Sequence, residues 1–336
     1  MDRNRTGTRA SIGSHPEPGA HGPEPPRTSG AFPLADSAWQ PAPAEKRERM
    51  ETIWVCVDGE ILPEEKARLS PLDRGFLYGD GLFETMKARG NRVDFLGQHL
   101  ERLRAGALAL RLPFPTGFDF EGCVRQLLDK NGIRGEASIK ICLSRGRHQG
   151  EISLYSPSRS TLVILASPTL GPSPDRWEQG LSLSVEPELR QNPSSPLCGL
   201  KSLNYLFHLV ARTRARDRGF EEAILLNGAG EVCESTSANL FCFRQGRLQT
   251  PAPSCGLLPG VLRAALMKCL EEEGEPVAEV RLPAASLAEC EEVFLTNSLL
   301  EIVPVGRIDE KAYPRRDRTR AVREAFLRYR DRPGER

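Results

Sequence analysis

No run of eighteen or more apolar residues occurs anywhere in the 336-residue sequence, so none of its helices is expected to span a bilayer. An excess of one charge is also missing. The formal net charge is +1, which supplies no long-range field for nucleic acid or an anionic membrane surface. Nor is there a Cys-x-x-Cys pair. The nine cysteines, Cys56, Cys123, Cys142, Cys198, Cys233, Cys242, Cys255, Cys269 and Cys290, are scattered and odd in number. That pattern speaks against a disulfide frame or a zinc site and fits reduced thiols in a cytoplasmic protein. Each cysteine reads as a small buried hydrophobe.

The first 50 residues lack apolar periodicity. They are loaded with Pro, Gly, Ser, Arg and Glu, and cannot bury enough surface to offset the entropy of ordering, so residues 1–50 are expected to be a disordered extension. They contain no continuous apolar segment of the secretory type, and their Pro and Glu content fits a transit peptide poorly. Structure is expected to begin near Glu51, with Met50 a possible start of translation.

Past that point the length allows two domains. Ile53-Trp-Val-Cys-Val57, Asp58-Gly59 and Glu60-Ile-Leu62 read as a hairpin. Strands are expected at 81–86, 137–143 and 161–166, with helices at 98–111 and 120–131. In the first helix Leu100, Leu103, Ala107 and Leu110 recur at helical spacing. Between 167 and 176 the composition turns to Ser, Pro, Thr and Gly, the best internal linker. The division is therefore 51–166 for a small N-terminal domain, 167–176 for the linker and 177–336 for a larger domain. Within the latter a helix is expected from Ser202 to Arg218, its apolar face formed by Leu203, Leu206, Leu209, Val210 and Thr213, which puts Lys201 at its entrance. Short strands follow at 223–227, 231–234, 239–243 and 248–250, then a helix at 261–273 and strands at 292–297 and 302–305. The fold class is mixed α/β (α+β).

Two stretches carry chemistry: Gly199-Leu-Lys-Ser-Leu-Asn-Tyr205, and Glu231-Val-Cys-Glu-Ser-Thr-Ser-Ala-Asn-Leu-Phe241. A single lysine in an apolar setting, Lys201, precedes by 33 positions a carboxylate at a turn-rich strand end, Glu234. Pyridoxal-phosphate chemistry needs such a pair, a lysine for the aldehyde and an anion for the ring nitrogen.

The order of further blocks extends this reading. Asp73-Arg-Gly-Phe-Leu-Tyr-Gly-Asp-Gly-Leu-Phe-Glu-Thr85, His99-Leu-Glu-Arg-Leu103, Lys201–Tyr205, Glu234–Phe241, Leu258-Pro-Gly-Val-Leu-Arg263 and Thr296-Asn-Ser-Leu299 together resemble the class IV aminotransferases, the fold type IV pyridoxal-phosphate enzymes, over about residues 52–310. The resemblance implies a two-domain architecture with a smaller N-terminal and a larger C-terminal α/β domain, pyridoxal 5'-phosphate as cofactor, a small-molecule amino substrate, and a homodimer. It also implies site roles. Lys201 matches the Schiff-base lysine and Glu234 the ring-nitrogen partner. Arg102 matches the phosphate arginine, and Val261 and Leu262 the amides of the phosphate cup, which Thr296 and Asn297 complete. Leu262 stands where many members carry Thr. Tyr205 is open between a cofactor contact and a core role, and Asp80 with Glu84 reads as wall-shaping rather than acid/base.

Among the family's reactions, the Lys-Ser-Leu-Asn spacing and Thr296-Asn-Ser-Leu299 resemble aminodeoxychorismate lyases, which release 4-aminobenzoate and pyruvate for folate biosynthesis. The alternative is a D-amino-acid or branched-chain transaminase. For the former, Ser144-Arg-Gly-Arg-His-Gln-Gly150 offers an arginine and a histidine for a substrate carboxylate, in shifted register. A cofactor-binding homologue without turnover is a third reading.

Overall fold

A computed structural model describes residues 52–332 apart from 148–149, 156–158, 170 and 172–173. The extension 1–50, His148 and part of the linker at 167–176 lie outside the described residues. The hairpin forms as read: β1 (Trp54–Val57) and β2 (Glu60–Pro63) pair antiparallel through a turn in which Asp58 and Gly59 both have positive φ. Asp-Gly tolerates that left-handed pair, and such turns match the twist of the strands. A short helix not anticipated from sequence, α1 (Arg74–Tyr78), starts where the Asp73 carboxylate accepts from the Gly75 amide and stops at left-handed Gly79.

Further strands β3 (Gly81–Arg89), β4 (Arg92–Val93), β5 (Glu136–Ser144) and β6 (Thr161–Pro168) complete a six-stranded sheet of order β2-β1-β6-β5-β3-β4. Helices α2 (Leu96–Ala109) and α3 (Phe120–Lys130) cover it, burying Leu103, Ala107, Val124 and Leu127 against Leu82, Met86, Ile139 and Ile141. Each fully buried leucine is worth about 2–3 kcal/mol by area, enough to fix which helix face turns inward.

A second sheet holds β7 (Leu181–Gln191), β8 (Glu222–Asn227), β9 (Val232–Ser235), β10 (Asn239–Arg244), β11 (Arg247–Pro251), β12 (Ala278–Val280), β13 (Glu292–Asn297), β14 (Glu301–Ile308) and β15 (Lys311–Ala312). Its order is β12-β11-β10-β13-β14-β7-β8-β9, with β15 beside β14. The linker region carries regular structure at both ends, since β6 runs to Pro168 and α4 (Pro174–Gln179) begins at Pro174. One face of this sheet packs under α6 (Val261–Glu272) and α7 (Asp317–Arg330), where Leu266 and Leu270 meet Val322, Phe326 and Tyr329. Sequence reading leaves α7 unassigned, because its arginines outnumber the apolar residues that form its buried stripe.

The helix expected at 202–218 is α5 (Leu206–Asp217), four residues shorter at its start. Lys201, Ser202 and Leu203 are instead extended and pair with the edge of β3. The Phe83 amide donates to the Lys201 carbonyl (2.9 Å), and the Leu203 amide to the Gly81 carbonyl (3.0 Å). A strand edge with open hydrogen-bonding groups competed for these residues and won. The expected apolar face is also wrong. Leu206, Leu209 and Val210 are exposed, while Ala211 and Ala215 are buried with Phe207 packed beside them. Small residues let the helix approach β7 and β8 closely, and packing rather than hydrophobic count chose the face.

Candidate active site

The pairing of Lys201–Leu203 with β3 ties the segment before α5 to the first sheet, and beside it opens a cavity of about 860 Å³ lined from both sheets. Lys201, Glu234, Arg102, Val261, Leu262, Thr296 and Asn297 all line it, so residues up to 195 positions apart in sequence, from Arg102 to Asn297, converge on one space. The extended backbone at Lys201 lays its side chain on an aromatic wall, with Nζ 4.4 Å from the Phe83 ring centroid. Phe83 meets Tyr205 edge-on at 5.5 Å. Burial, aided by the charge of Arg102, pushes the Lys201 amine down to about 8, so roughly a tenth of it is neutral at pH 7.

Glu234 sits on β9 and accepts from the Leu258 amide at Oε1 (3.1 Å) and from Asn239 Nδ2 at Oε2 (3.2 Å). No cation touches it among the described residues, and burial pushes its carboxyl up to about 8. Ser235, Thr236 and Ser237, which follow it, are taken up in shaping the turn. Ser235 Oγ accepts from the Ala238 amide (3.1 Å), while Thr236 Oγ1 and Ser237 Oγ both donate to Glu222. Tyr205 donates its hydroxyl to the Thr236 carbonyl (2.6 Å), and burial holds that phenol protonated, up to about 12.

Arg102, on α2, is pinned by a fork–fork pair to Glu84, Nε–Oε1 2.8 Å and Nη2–Oε2 2.6 Å, and by a bond from Nη1 to the Pro259 carbonyl (2.9 Å). Such bidentate pairs fix a guanidinium in direction as well as place. Glu84 is thus a structural partner of Arg102, and Asp80 has a structural role of its own, held by Arg74 (2.7 Å) and Arg145 (2.8 Å). At the start of α6 no side chain caps the helix, since Gly260 occupies the N-cap. A Cβ there would run into Asn239 Oδ1, whose amide is held by Glu234 and the Leu258 carbonyl, so glycine spares that arrangement. The side chains of Val261 and Leu262 join the core, leaving the first-turn amides as the polar groups at this end of the cavity. Thr296, in β13, keeps a buried hydroxyl oxygen with no partner among the described residues. Asn297 organises the turn after it, with Oδ1 accepting from the amides of Leu299 (3.0 Å) and Leu300 (2.8 Å) and Nδ2 donating to the Ser237 carbonyl (3.2 Å).

The loop offered for a substrate carboxylate does not supply it through Arg145. That guanidinium is fully buried and spent on Asp80 and on the carbonyls of Leu110 (2.7 Å) and Arg111 (2.9 Å). Two cations that sequence reading missed line the cavity without a carboxylate partner among the described residues: Arg190, whose guanidinium donates to the Glu186 carbonyl, and Lys140 on β5, with Nζ 5.1 Å from the Phe83 centroid. The signal at Lys140 is a lysine between Ile139 and Ile141, both buried, on the outward side of an alternating strand. His208 was missed as well. It lines the cavity and stacks on Tyr205 at 4.7 Å, and burial pushes its imidazole down to about 4.

A lysine of lowered basicity and a buried carboxyl, framed by a helix N-terminus and a fixed arginine at the junction of two sheets, define a protein built to hold an anionic cofactor. Residues 81–308 match the amino-transferase class IV family, and the chain belongs to it. The chain is 30% identical to the branched-chain-amino-acid aminotransferase of Salmonella typhimurium over 274 residues, covering 78% of this chain and 86% of that protein. Among solved structures, the 4-amino-4-deoxychorismate lyase of Pseudomonas aeruginosa is 32% identical with a TM-score of 0.69, covering 80% of this chain and 97% of that one. The branched-chain aminotransferase of Thermoproteus uzoniensis, solved with norvaline, is 27% identical with a TM-score of 0.76, covering 82% and 94%. Among the described residues no helix is long and apolar enough to cross a membrane.

Proposed function

We propose that this protein is a pyridoxal 5'-phosphate enzyme acting as 4-amino-4-deoxychorismate lyase, releasing 4-aminobenzoate and pyruvate. The observation that carries the cofactor assignment is the convergence of the Lys201 amine and the Glu234 carboxyl on one cavity. The remaining residues fit the group: the uncapped amides of Val261 and Leu262, Arg102 and the Thr296 hydroxyl, which has no partner among the described residues, would hold a phosphate, with Asn297 shaping the turn beside it. When bound, the cofactor supplies an aldehyde for amines and a ring that accepts an electron pair.

The protein's own residues do the rest. Lys201 would hold the cofactor's aldehyde, and its amine, when free, would take the proton from C4 of the substrate and give one to the departing enolpyruvate. Glu234 would keep a proton on the ring nitrogen, its own charge restored by that cation. Lys140 would hold a carboxylate of the substrate against the Phe83 wall. Loss of the enolpyruvyl group as pyruvate leaves an aromatic ring, which drives the reaction forward.

The lyase reading is supported by the Thr296-Asn-Ser-Leu299 block, while the burial of Arg145 takes that arginine, but not the exposed Arg147 of the same loop, away from a D-amino-acid carboxylate. The likeness to branched-chain aminotransferases favours the second reading, a transaminase of L-amino acids. A paired assay decides between them. Pyruvate and 4-aminobenzoate formed from aminodeoxychorismate are expected; lasting conversion of the cofactor to its amine form by branched-chain amino acids or D-alanine, without lyase turnover, would reverse the choice. A homodimer belongs to this reading, supported by the exposed Leu206, Leu209 and Val210 beside the cavity rim, and a cytoplasmic location by nine free thiols. A fully active monomer in gel filtration would remove the dimer from it.

A further inference from the structure

Behind the cavity wall four polar groups form a continuous chain. Glu84 is 1% exposed and receives Arg102 Nε and Nη2 on one side and His99 Nδ1 on the other, at 2.7 Å. His99 is fully buried, and its second nitrogen, Nε2, lies 3.1 Å from the Ser298 hydroxyl. Ser298 lines the cavity one residue past Asn297, in the turn between β13 and β14.

The hydrogens in this chain can be placed by counting donors. An ionised carboxylate has none to give, and the hydrogen bonds from His99 and Arg102 hold Glu84 ionised against the opposing effect of burial. The hydrogen between Glu84 and His99 is therefore on Nδ1. A second proton on the imidazole is disfavoured by burial, and Arg102 from its own helix and Lys201 from the segment before α5 add repulsion that Glu84 does not overcome. The neutral ring then carries a lone pair at Nε2, and the only hydrogen available to the second contact is that of Ser298.

We propose that His99 is a positioning residue: locked by Glu84 as the Nδ1–H tautomer, it takes the hydroxyl hydrogen of Ser298 and so holds the Asn297–Leu300 turn against the cavity. Two consequences follow for ligands. Ser298 turns only acceptor capacity toward the cavity, so an anion seated beside it is met by backbone amides and Arg102 rather than by this hydroxyl. The contribution of Ser298 to affinity then passes through His99. This extends the cofactor reading above and rests on it for the binding arm of the test.

The first measurement is independent of any cofactor. In ¹⁵N-labelled cofactor-free protein at pH 7, His99 is expected to show a protonated Nδ1 and a bare Nε2; a hydrogen on Nε2 overturns the proposal. The second is titration with pyridoxal 5'-phosphate of His99→Asn, which keeps a donor for Glu84 and loses Ser298, of Ser298→Ala and of the double variant. Each single change is expected to weaken binding by about 5-fold, the scale of one hydrogen bond, and the double variant no more than either. Additive losses, or no loss in either single variant, overturn the proposal. Failure of the unaltered protein to bind the cofactor overturns the functional reading instead and leaves the tautomer measurement to stand on its own result.

Discussion

Glu84 and Glu234 are both buried, one behind the α2 wall of the cavity and the other in its β9 floor, yet burial leaves them in opposite states. Glu84 receives three charge-assisted or imidazole donors and is held below the usual carboxylate range. Glu234 receives one amide hydrogen and one side-chain amide and is pushed up to about 8. Desolvation acts on both; the partners decide the charge. The wall is therefore complete in itself, whereas the floor lacks a cation, which the ring nitrogen of the proposed cofactor would provide.

The largest effect expected concerns the lysine between them. Lys201→Ala should remove the visible absorbance of the bound cofactor and lower turnover on the order of a thousandfold or more, since both aldehyde attachment and proton transfer are lost. Coloured, active protein would break the contrast between wall and floor at its centre.

Next in size is the response of each carboxylate to amide replacement. Glu84→Gln leaves Arg102 short of its partner and should cost about 2–4 kcal/mol in urea unfolding of the cofactor-free protein, at the lower part of the range for a broken buried pair because Arg102 is partly solvated. Glu234→Gln should leave that stability nearly unchanged near pH 5 and raise it towards pH 8, because no proton need then be taken up on folding, while lowering turnover about a hundredfold. Equal destabilisation by the two changes would show that the floor supports the fold as much as the wall does.

The pH dependence of stability sharpens the same contrast. Between the ordinary carboxyl value of 4.5 and about 8, Glu234 retains its proton in the folded state while the unfolded chain has lost it, so its contribution falls as pH rises through that window. Glu84 has the reverse sign: its contribution is present above the unfolded value and is lost as pH drops through the lowered folded value. Urea midpoints of cofactor-free protein from pH 5 to 8 should therefore decline less in Glu234→Gln than in the unaltered chain. An identical profile would contradict the protonated floor.

The smallest expected effect is at the rim. Lys140→Met should raise KM for a carboxylate-bearing substrate about 10-fold with little change in kcat or cofactor affinity, as loss of one solvated ion contact would. A fall in kcat alone would place Lys140 in the chemistry.

Much of the fold was legible in local patterns. The Asp58-Gly59 hairpin, α3 and the β3, β5 and β6 strands follow from turn chemistry and alternation that no distant contact contradicts. The start of α5 was misread because Lys201–Leu203 found the β3 edge more than a hundred residues away in the chain, and its buried face because Ala211 and Ala215 allow a closer approach than leucine does. Arg145 and Lys140 exchanged places for a related reason. Lys140 lies midway along β5 and Arg145 just past its end, but only the fold places Asp80 and two carbonyls around Arg145.

The sequence alone determined the mixed α/β class and the family, and pointed to the lysine and carboxylate of the proposed site, because these depend on residue type and order. The tertiary structure decided which charges are spent and which are free. Glu84, Arg145 and Asp80 are neutralised by partners brought from other elements, while Lys201, Lys140 and Glu234 are left facing the cavity. Charge state in a buried site depends on what lies within a few ångströms in space, and distance along the chain does not encode that.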